Sequence, residues 1–246
     1  MLSTGIDALD HRLGGLVAGR YYLVTGVPGA GKTSVALHFL GAGLEAGDRC
    51  AILTQDDPED LIAQADFLGY DFRTAAEEER LIVLQYRLDF AHNFTRSIDP
   101  DDVARELLAL LGEPLPTRLV IDSILPFVDG GNVMHGPAHA LARVLDRVPG
   151  TLYLTLPGDI SENYYLPIYN RVTAGAAGIL HLQVSDGFVC GGPSGNPPGR
   201  LHAGGAINFP IPPFARGLTH KLLRHFGPAW RIWSGCAAAR PRPPNR

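Results

Sequence analysis

Short apolar runs alternate with longer stretches of helical periodicity along most of the chain. The apolar runs predict strands at Tyr21–Thr25, Cys50–Leu53, Leu81–Tyr86, Leu119–Asp122, Thr151–Leu156 and Ile179–Val184. The stretches between them predict helices at about Lys32–Ala46, Pro58–Phe67, Asp101–Leu111 and Pro137–Val148. This alternation is typical of an α/β fold with a mostly parallel central sheet and helices on both faces.

The pattern changes from Phe188 onward. Residues 191–217 contain seven glycines and six prolines, with short β-like pieces such as Ala206–Phe209. This composition predicts a C-terminal antiparallel β extension of hairpins and loops. We therefore expect one domain over residues 1–226. Residues 227–246 form a tail, predicted to be partly disordered because its end is rich in proline and arginine.

Composition narrows the class of protein. With 246 residues, 46% of them hydrophobic, the chain can build one substantial core, which favours one α/β domain over two small ones. The net charge of −4 neither excludes nor indicates nucleic acid. The three cysteines are isolated, as expected of reduced thiols in the cytoplasm. We find no signal-like segment and no apolar run of about 18 residues, so no membrane association is expected.

The segment between the first predicted strand and the first long helix matches the P-loop pattern at every fixed position. Its residues are Gly26, Val27, Pro28, Gly29, Ala30, Gly31, Lys32 and Thr33, followed by Ser34. Glycines allow the backbone to turn its N–H groups inward, and the following helix presents its positive end to phosphates. An ordinary glycine-rich turn is the alternative, which the full motif in its strand–helix setting disfavours. The segment predicts a nucleoside triphosphate site.

The motif predicts that the triphosphate, expected to be ATP, is bound together with Mg²⁺ as cofactor. Lys32 is expected to reach the β and γ phosphates, and the Thr33 hydroxyl to bind Mg²⁺. The apolar strand that ends at Asp122 has the Walker-B arrangement, which would place a second metal ligand beside the first. Strands often end in an acid that caps the next turn, so the preceding P-loop is what makes Asp122 the expected metal partner.

Several further segments resemble the KaiC-like ATPases of the RecA superfamily. They are Leu2–Asp10, Gly14–Leu16 with Gly19, Leu53–Leu61, Phe67–Asp71, the Asp122 strand and, more faintly, Phe209–Leu218. The resemblance covers most of residues 1–218. It implies a RecA-like fold, ATP binding, slow hydrolysis and assembly into a homo-oligomer, with a hexamer as one arrangement. It also implies regulation through a protein partner that the sequence does not identify.

The chain departs from this family where catalysis is expected. After the second strand the family usually has two adjacent glutamates that polarise the attacking water, whereas Gln55 and Asp56 stand here. Glutamine can orient water but cannot accept its proton, and Asp56 is one methylene shorter than glutamate. The resemblance therefore assigns catalytic roles to Lys32, Asp56 and Gln55, with weakened hydrolysis. Asp57 is a second candidate base, and both aspartates are equally candidates for capping the helix at Pro58.

A second departure lies near residues 190–205. The family often has a basic segment there that reaches the neighbouring subunit's phosphates, but here the candidates are Arg200 and Arg216 alone. Two other functions stay open. One is a DNA-binding recombinase-type ATPase, which the small number of cations around residues 127–135 and 162–171 disfavours. The other is a nucleotide-binding scaffold that does not hydrolyse, which Gln55 favours.

Overall fold

The described strands are joined in one sheet whose central six are parallel. The computed structural model describes residues 1–86, 100–124, 137–158, 172–185, 188–193, 207–210 and 230–233. The strands within these residues are β1 (Tyr21–Gly26), β2 (Cys50–Thr54), β3 (Leu81–Tyr86), β4 (Arg118–Asp122), β5 (Thr151–Pro157), β6 (Gly178–Ser185), β7 (Phe188–Pro193), β8 (Ile207–Pro210) and β9 (Trp230–Trp233).

The order across the sheet is β8-β7-β6-β1-β5-β4-β2-β3-β9. From β6 to β3 every neighbouring pair is parallel, while β7, β8 and β9 pair antiparallel to their neighbours. This confirms the predicted mostly parallel sheet with an antiparallel extension. Strand β1 lies between β5 and β6, so its carboxyl end opens at the centre of the sheet.

Helices cover both faces of the sheet. They are α1 (Asp7–Leu13), α2 (Lys32–Glu45), α3 (Pro58–Phe67), α4 (Phe72–Glu77), α5 (Pro100–Leu111) and α6 (Pro137–Arg147). One apolar cluster joins α2, α3 and α4 to the sheet, and a second joins α5 and α6 to the opposite face. Burial on both faces explains why the central strands are continuous apolar runs instead of alternating ones.

The predicted helices and central strands are confirmed, and none of their ends is displaced by more than one residue. Helices α1 and α4 are short, at 7 and 6 residues, and the sequence patterns did not predict them. The predicted β piece Ala206–Phe209 corresponds to β8. The division into residues 1–226 and a tail stays a prediction, although β9 lies within that tail and pairs with β3.

The first residues of the chain are fixed by polar contacts. The Asp10 carboxylate accepts hydrogen bonds from the Ser3 hydroxyl at 2.6 Å and from the Thr4 amide at 2.8 Å. Gly5 lies against α2 so closely that a Cβ there would be 2.1 Å from the His38 carbonyl oxygen. The threonine-glycine-aspartate pattern therefore folds the N-terminal segment onto α2. Among the described residues, no helix is long and apolar enough to span a bilayer.

Candidate nucleotide-binding site

The P-loop lies at the carboxyl end of β1 and leads directly into α2. In open parallel sheets, ligands bind at this end of the strands, where neighbouring connections leave in opposite directions. Gly31 has a φ of 85° and is the residue immediately before α2, so the left-handed conformation that starts the helix requires glycine there. No side chain among the described residues caps this helix end, which leaves its first N–H groups and its positive dipole end for an anion.

The backbone of the loop is held between two neighbouring strands. The Gly158 amide, just after β5, donates a hydrogen bond to the Gly26 carbonyl oxygen at 2.8 Å. A Cβ on Gly158 would lie 2.8 Å from the Gly26 Cα, and one on Gly26 would lie 2.6 Å from the Leu182 carbonyl oxygen on β6. Real Cβ atoms do not approach so closely, so both positions need glycine for the strands to fix the loop.

Lys32 is folded back onto the loop that it follows. Its ammonium group donates hydrogen bonds to the carbonyl oxygens of Gly26 at 2.8 Å and Val27 at 3.0 Å. Burial lowers the pKa of Lys32, an effect that the Asp122 carboxylate partly opposes. The lysine charge is therefore held over the loop by main-chain oxygens, within the space where the motif predicts phosphates.

Thr33 and Asp122 are in direct contact. The Thr33 hydroxyl donates to one oxygen of the Asp122 carboxylate at 2.7 Å, and the buried Thr155 hydroxyl donates to the other oxygen. Asp122 ends β4 and Thr155 belongs to the neighbouring β5, so the sheet register sets this geometry. A hydroxyl and a carboxylate are the hard oxygen donors that Mg²⁺ takes from protein, so Thr33 and Asp122 fit this metal.

The two adjacent aspartates after β2 take different positions. The Asp57 carboxylate caps α3 by accepting from the Glu59 amide at 2.9 Å. Asp56 does not cap the helix, and its amide donates to the Thr54 hydroxyl oxygen at 3.0 Å. The Gln85 side chain on β3 donates to the Asp56 carbonyl oxygen at 3.1 Å. The main chain at Asp56 is therefore held from two sides.

The electrostatic surroundings of Asp56 favour its protonated form. Asp56 is exposed at the surface, yet neighbouring protein atoms partly desolvate its carboxylate. This desolvation, with smaller contributions from the charges of Asp122 and Asp60, raises the pKa of Asp56. Because a higher pKa makes a carboxylate a better proton acceptor, the shift is in the direction that a general base needs. Gln55, the preceding residue, is half-buried.

The structure thus brings the loop 26–33, Asp122 and the Gln55–Asp56 segment to the carboxyl ends of the parallel strands. Ser34 lies in the first turn of α2. Arg200, Arg216 and the loops 127–135 and 162–171 lie outside the described residues. The sequence reading missed Thr155 and Gly158. Their only signal is a small residue near the end of a predicted strand, which acquires meaning once β5 is known to lie between β1 and β4.

Comparison with known proteins agrees with this geometry. A family model described as "ATPase: KaiC" matches residues 2–164. The UPF0273 protein MK0039 of Methanopyrus kandleri is 31% identical over 156 residues, which cover 58% of this chain and 62% of that protein. The circadian clock oscillator protein KaiC of Parasynechococcus marenigrum is 30% identical over 127 residues, covering 50% and 25% respectively. The chain therefore spans less than two thirds of the length of either relative.

A solved structure has the same fold. The KaiC-like protein PH0186 from the hyperthermophilic archaeon Pyrococcus horikoshii OT3 superposes with a TM-score of 0.64, covering 86% of this chain and 95% of that one. Its sequence identity of 23% means that the likeness concerns the fold alone.

Proposed function

The chain belongs to the KaiC ATPase family, and we propose that it is an ATP-binding switch that hydrolyses its nucleotide slowly. In this proposal the ATP-bound and ADP-bound forms differ in conformation or in assembly, and that difference is the output. The chain matches only part of its relatives' length, so their roles do not transfer to it directly. The proposal rests on the site's own residues.

The hydrogen bond between Thr33 and Asp122 is the observation that carries the proposal. It joins the last residue of the P-loop to the end of β4, two strands from β1, at 2.7 Å, which is the arrangement that a magnesium–nucleotide site requires. Thr33 and Asp122 would hold Mg²⁺, whose charge would offset that of the phosphates. Lys32 and the first amides of α2 would hold the phosphate oxygens.

Slow hydrolysis is proposed because of the pair at the end of β2. Gln55 can orient a water molecule through its amide but cannot take its proton. Asp56 can take a proton, and its raised pKa supports that role. Its side chain is one methylene shorter than the glutamate usual in the family, so we expect the water to be less well aligned and turnover to be low.

A measurement of ATP binding together with a phosphate-release assay tests this proposal directly. Wild type is expected to bind ATP with Mg²⁺ and to release phosphate slowly, whereas Lys32→Ala should lose nucleotide binding. Gln55→Glu restores the second carboxylate and is expected to raise turnover. The proposal is wrong if Lys32→Ala binds ATP as wild type does.

A non-hydrolysing scaffold is the second candidate, because Gln55 also fits that function. The same assay separates the two functions, since a scaffold would bind ATP and release no phosphate. A DNA-binding role would instead appear as a single-stranded DNA shift that weakens with salt.

Assembly is the proposed output that a size measurement tests. We propose a homo-oligomer, because the family resemblance implies nucleotide sites at subunit interfaces. We also propose that the protein is cytoplasmic, in keeping with its isolated cysteines. The mass in solution, by light scattering, is expected to increase when ATP and Mg²⁺ are added to wild type and to stay unchanged for Lys32→Ala. A wild-type mass that ignores nucleotide would contradict assembly as the output while leaving ATP binding untouched.

A further inference from the structure

The carboxyl end of β3 contacts both acidic segments of the site. The Gln85 side chain donates to the carbonyl oxygen of Asp56 at 3.1 Å. The Tyr86 hydroxyl donates to the carbonyl oxygen of Ser123 at 2.7 Å and accepts from the Ser123 amide at 3.0 Å. Since Ser123 directly follows Asp122, two neighbouring residues of one strand hold the main chain beside each carboxylate.

Strand alternation explains how adjacent residues reach two segments. Successive side chains in a strand point to opposite faces of the sheet. Tyr86 belongs to the apolar cluster on the α5–α6 face, and Gln85 therefore points to the face covered by α2 and α3. Strand β2 lies between β3 and β4, so Tyr86 reaches Ser123 from one face while Gln85 holds the Asp56 segment from the other.

The contacts of Tyr86 are suited to fixing a position. One hydroxyl group meets both main-chain polar groups of Ser123, and the tyrosine is 1% exposed. Displacement of Ser123 would break both of these hydrogen bonds, which join a buried tyrosine to a half-buried main-chain segment. Burial also raises the pKa of Tyr86, which keeps the hydroxyl protonated and able to donate.

We propose that Gln85 and Tyr86 are positioning residues that set where the Asp56 and Asp122 carboxylates stand relative to each other. Tyr86 acts on the metal side, through Ser123 and Asp122. Gln85 acts on the water side, through the main chain of Asp56. This inference rests on the proposed ATPase function and adds to it the residues that align its two acidic groups.

Tyr86→Phe tests the metal side, because it removes the hydroxyl and keeps the ring. The Mg²⁺ concentration for half-maximal ATP binding is expected to rise roughly tenfold, the scale on which partners of metal ligands act. Nucleotide binding in the absence of Mg²⁺ should stay unchanged. The matched control is Tyr22→Phe, whose hydroxyl bonds to the Val17 amide at 2.7 Å near the start of β1. An unchanged Mg²⁺ dependence in Tyr86→Phe, or an equal shift in Tyr22→Phe, would overturn the metal-side role.

Gln85→Met tests the water side with a side chain of similar length. Because Gln85 acts on Asp56, kcat is expected to fall roughly tenfold, with KM and the Mg²⁺ dependence unchanged. Gln64→Met on α3 is the control for the same substitution elsewhere. A KM that rises in proportion, or a kcat equal to that of wild type, would count against the water-side role. This variant also decides the inference if Tyr86→Phe does not fold.

Hydrogen exchange of the nucleotide-free protein separates failure of this inference from failure of the proposed function. In Tyr86→Phe the Ser123 amide should exchange at least tenfold faster relative to wild type, and in Tyr22→Phe it should not, since only the first substitution removes its acceptor. If wild type binds no ATP, the proposed function is wrong, and this exchange still reports whether Tyr86 holds Ser123. Equal exchange in wild type and Tyr86→Phe would refute the positioning contact itself.

Discussion

Two neighbouring aspartates show how position separates function from structure at the scale of single residues. Asp57 accepts a hydrogen bond from the first turn of α3, so its carboxylate is committed to the helix. Within the part of the chain that the structure describes, Asp56 is held through its main chain, by Thr54 and Gln85, and its carboxylate stands in a partly desolvated position near Asp122. One residue therefore stabilises the fold, and the other is the candidate proton acceptor.

The first prediction concerns the pH dependence of hydrolysis. Because the pKa of Asp56 is raised, phosphate release should increase with pH along a limb that lies above the ordinary aspartate range. Asp56→Asn should remove this limb and lower the rate about 100-fold, the lower end of the range for a general base. Rates measured from pH 4 to pH 9, roughly spanning that limb, check this. A brisk rate that is insensitive to Asp56→Asn would contradict the assignment.

The same shift has a consequence for stability. The folded protein holds the Asp56 proton more tightly than the unfolded chain does, so ionising this group disfavours the folded state. The free energy of unfolding should therefore decrease as pH rises from the ordinary aspartate pKa to the higher folded value. Asp56→Asn should remove this decrease while keeping the other pH dependence of the wild type, as urea unfolding at several pH values would show.

At the scale of elements, α3 provides a prediction with a built-in control. Asp57 caps the helix and Pro58 occupies its first turn, with Glu59 and Asp60 near the positive end. Asp57→Ala is expected to lower the free energy of unfolding by about 1 kcal/mol, the usual effect of losing a side-chain cap. Asp56→Ala removes the neighbouring carboxylate without removing the cap. An equal stability loss in both variants, measured by urea unfolding, would show that the cap is not the cause.

The elements themselves were predictable because their signals are local. Apolar runs identified the central strands, and helical periodicity identified α3 and α5, with a capping pattern at the start of α3. The short helices α1 and α4 were missed because helices of 7 and 6 residues offer two turns or fewer of periodicity. Helix α4 is also stabilised by packing against α3 and β3, which a local pattern does not encode.

The residues of the candidate site could be predicted from the sequence only where they belong to a recognisable motif. The loop 26–33 is contiguous, so spacing alone identified it. Thr155, Gly158 and Tyr86 are distant in sequence from the groups that they contact, and each becomes significant only through the strand order. A threonine within a strand or a glycine after one is common, which is why such positions carry no signal without topology.

At the scale of the whole molecule, Arg118 joins four parts of the fold. It begins β4, and its side chain bonds to the Asp48 carboxylate at 2.7 Å, the Ser3 carbonyl oxygen at 2.7 Å and the Phe39 carbonyl oxygen at 2.9 Å. The guanidinium also lies 4.9 Å from the centre of the Phe39 ring. Gly43 leaves room for it, since a Cβ there would be 2.4 Å from the Arg118 Cδ.

This position makes Arg118 a test of whether stability and nucleotide binding can be separated. Arg118 is 1% exposed, so Arg118→Met removes a buried cation and leaves the Asp48 carboxylate and two carbonyl oxygens without it. The expected loss is about 3 kcal/mol, at the low end for breaking a buried pair because Asp48 keeps some contact with water. Urea unfolding measures it, and Asp48→Asn should lose less because its amide oxygen can still accept.

Nucleotide affinity should be unaffected in the folded fraction of Arg118→Met. Arg118 and Asp122 are the two ends of β4, roughly 13 Å apart at the rise of an extended strand, and the site lies at the Asp122 end. A double-mutant cycle with Asp48→Asn isolates the ion pair, since coupled residues lose less together than the sum of their separate losses. If Arg118→Met weakens ATP binding at temperatures where it is fully folded, the amino end of β4 influences the site, and stability and nucleotide binding cannot be separated at this position.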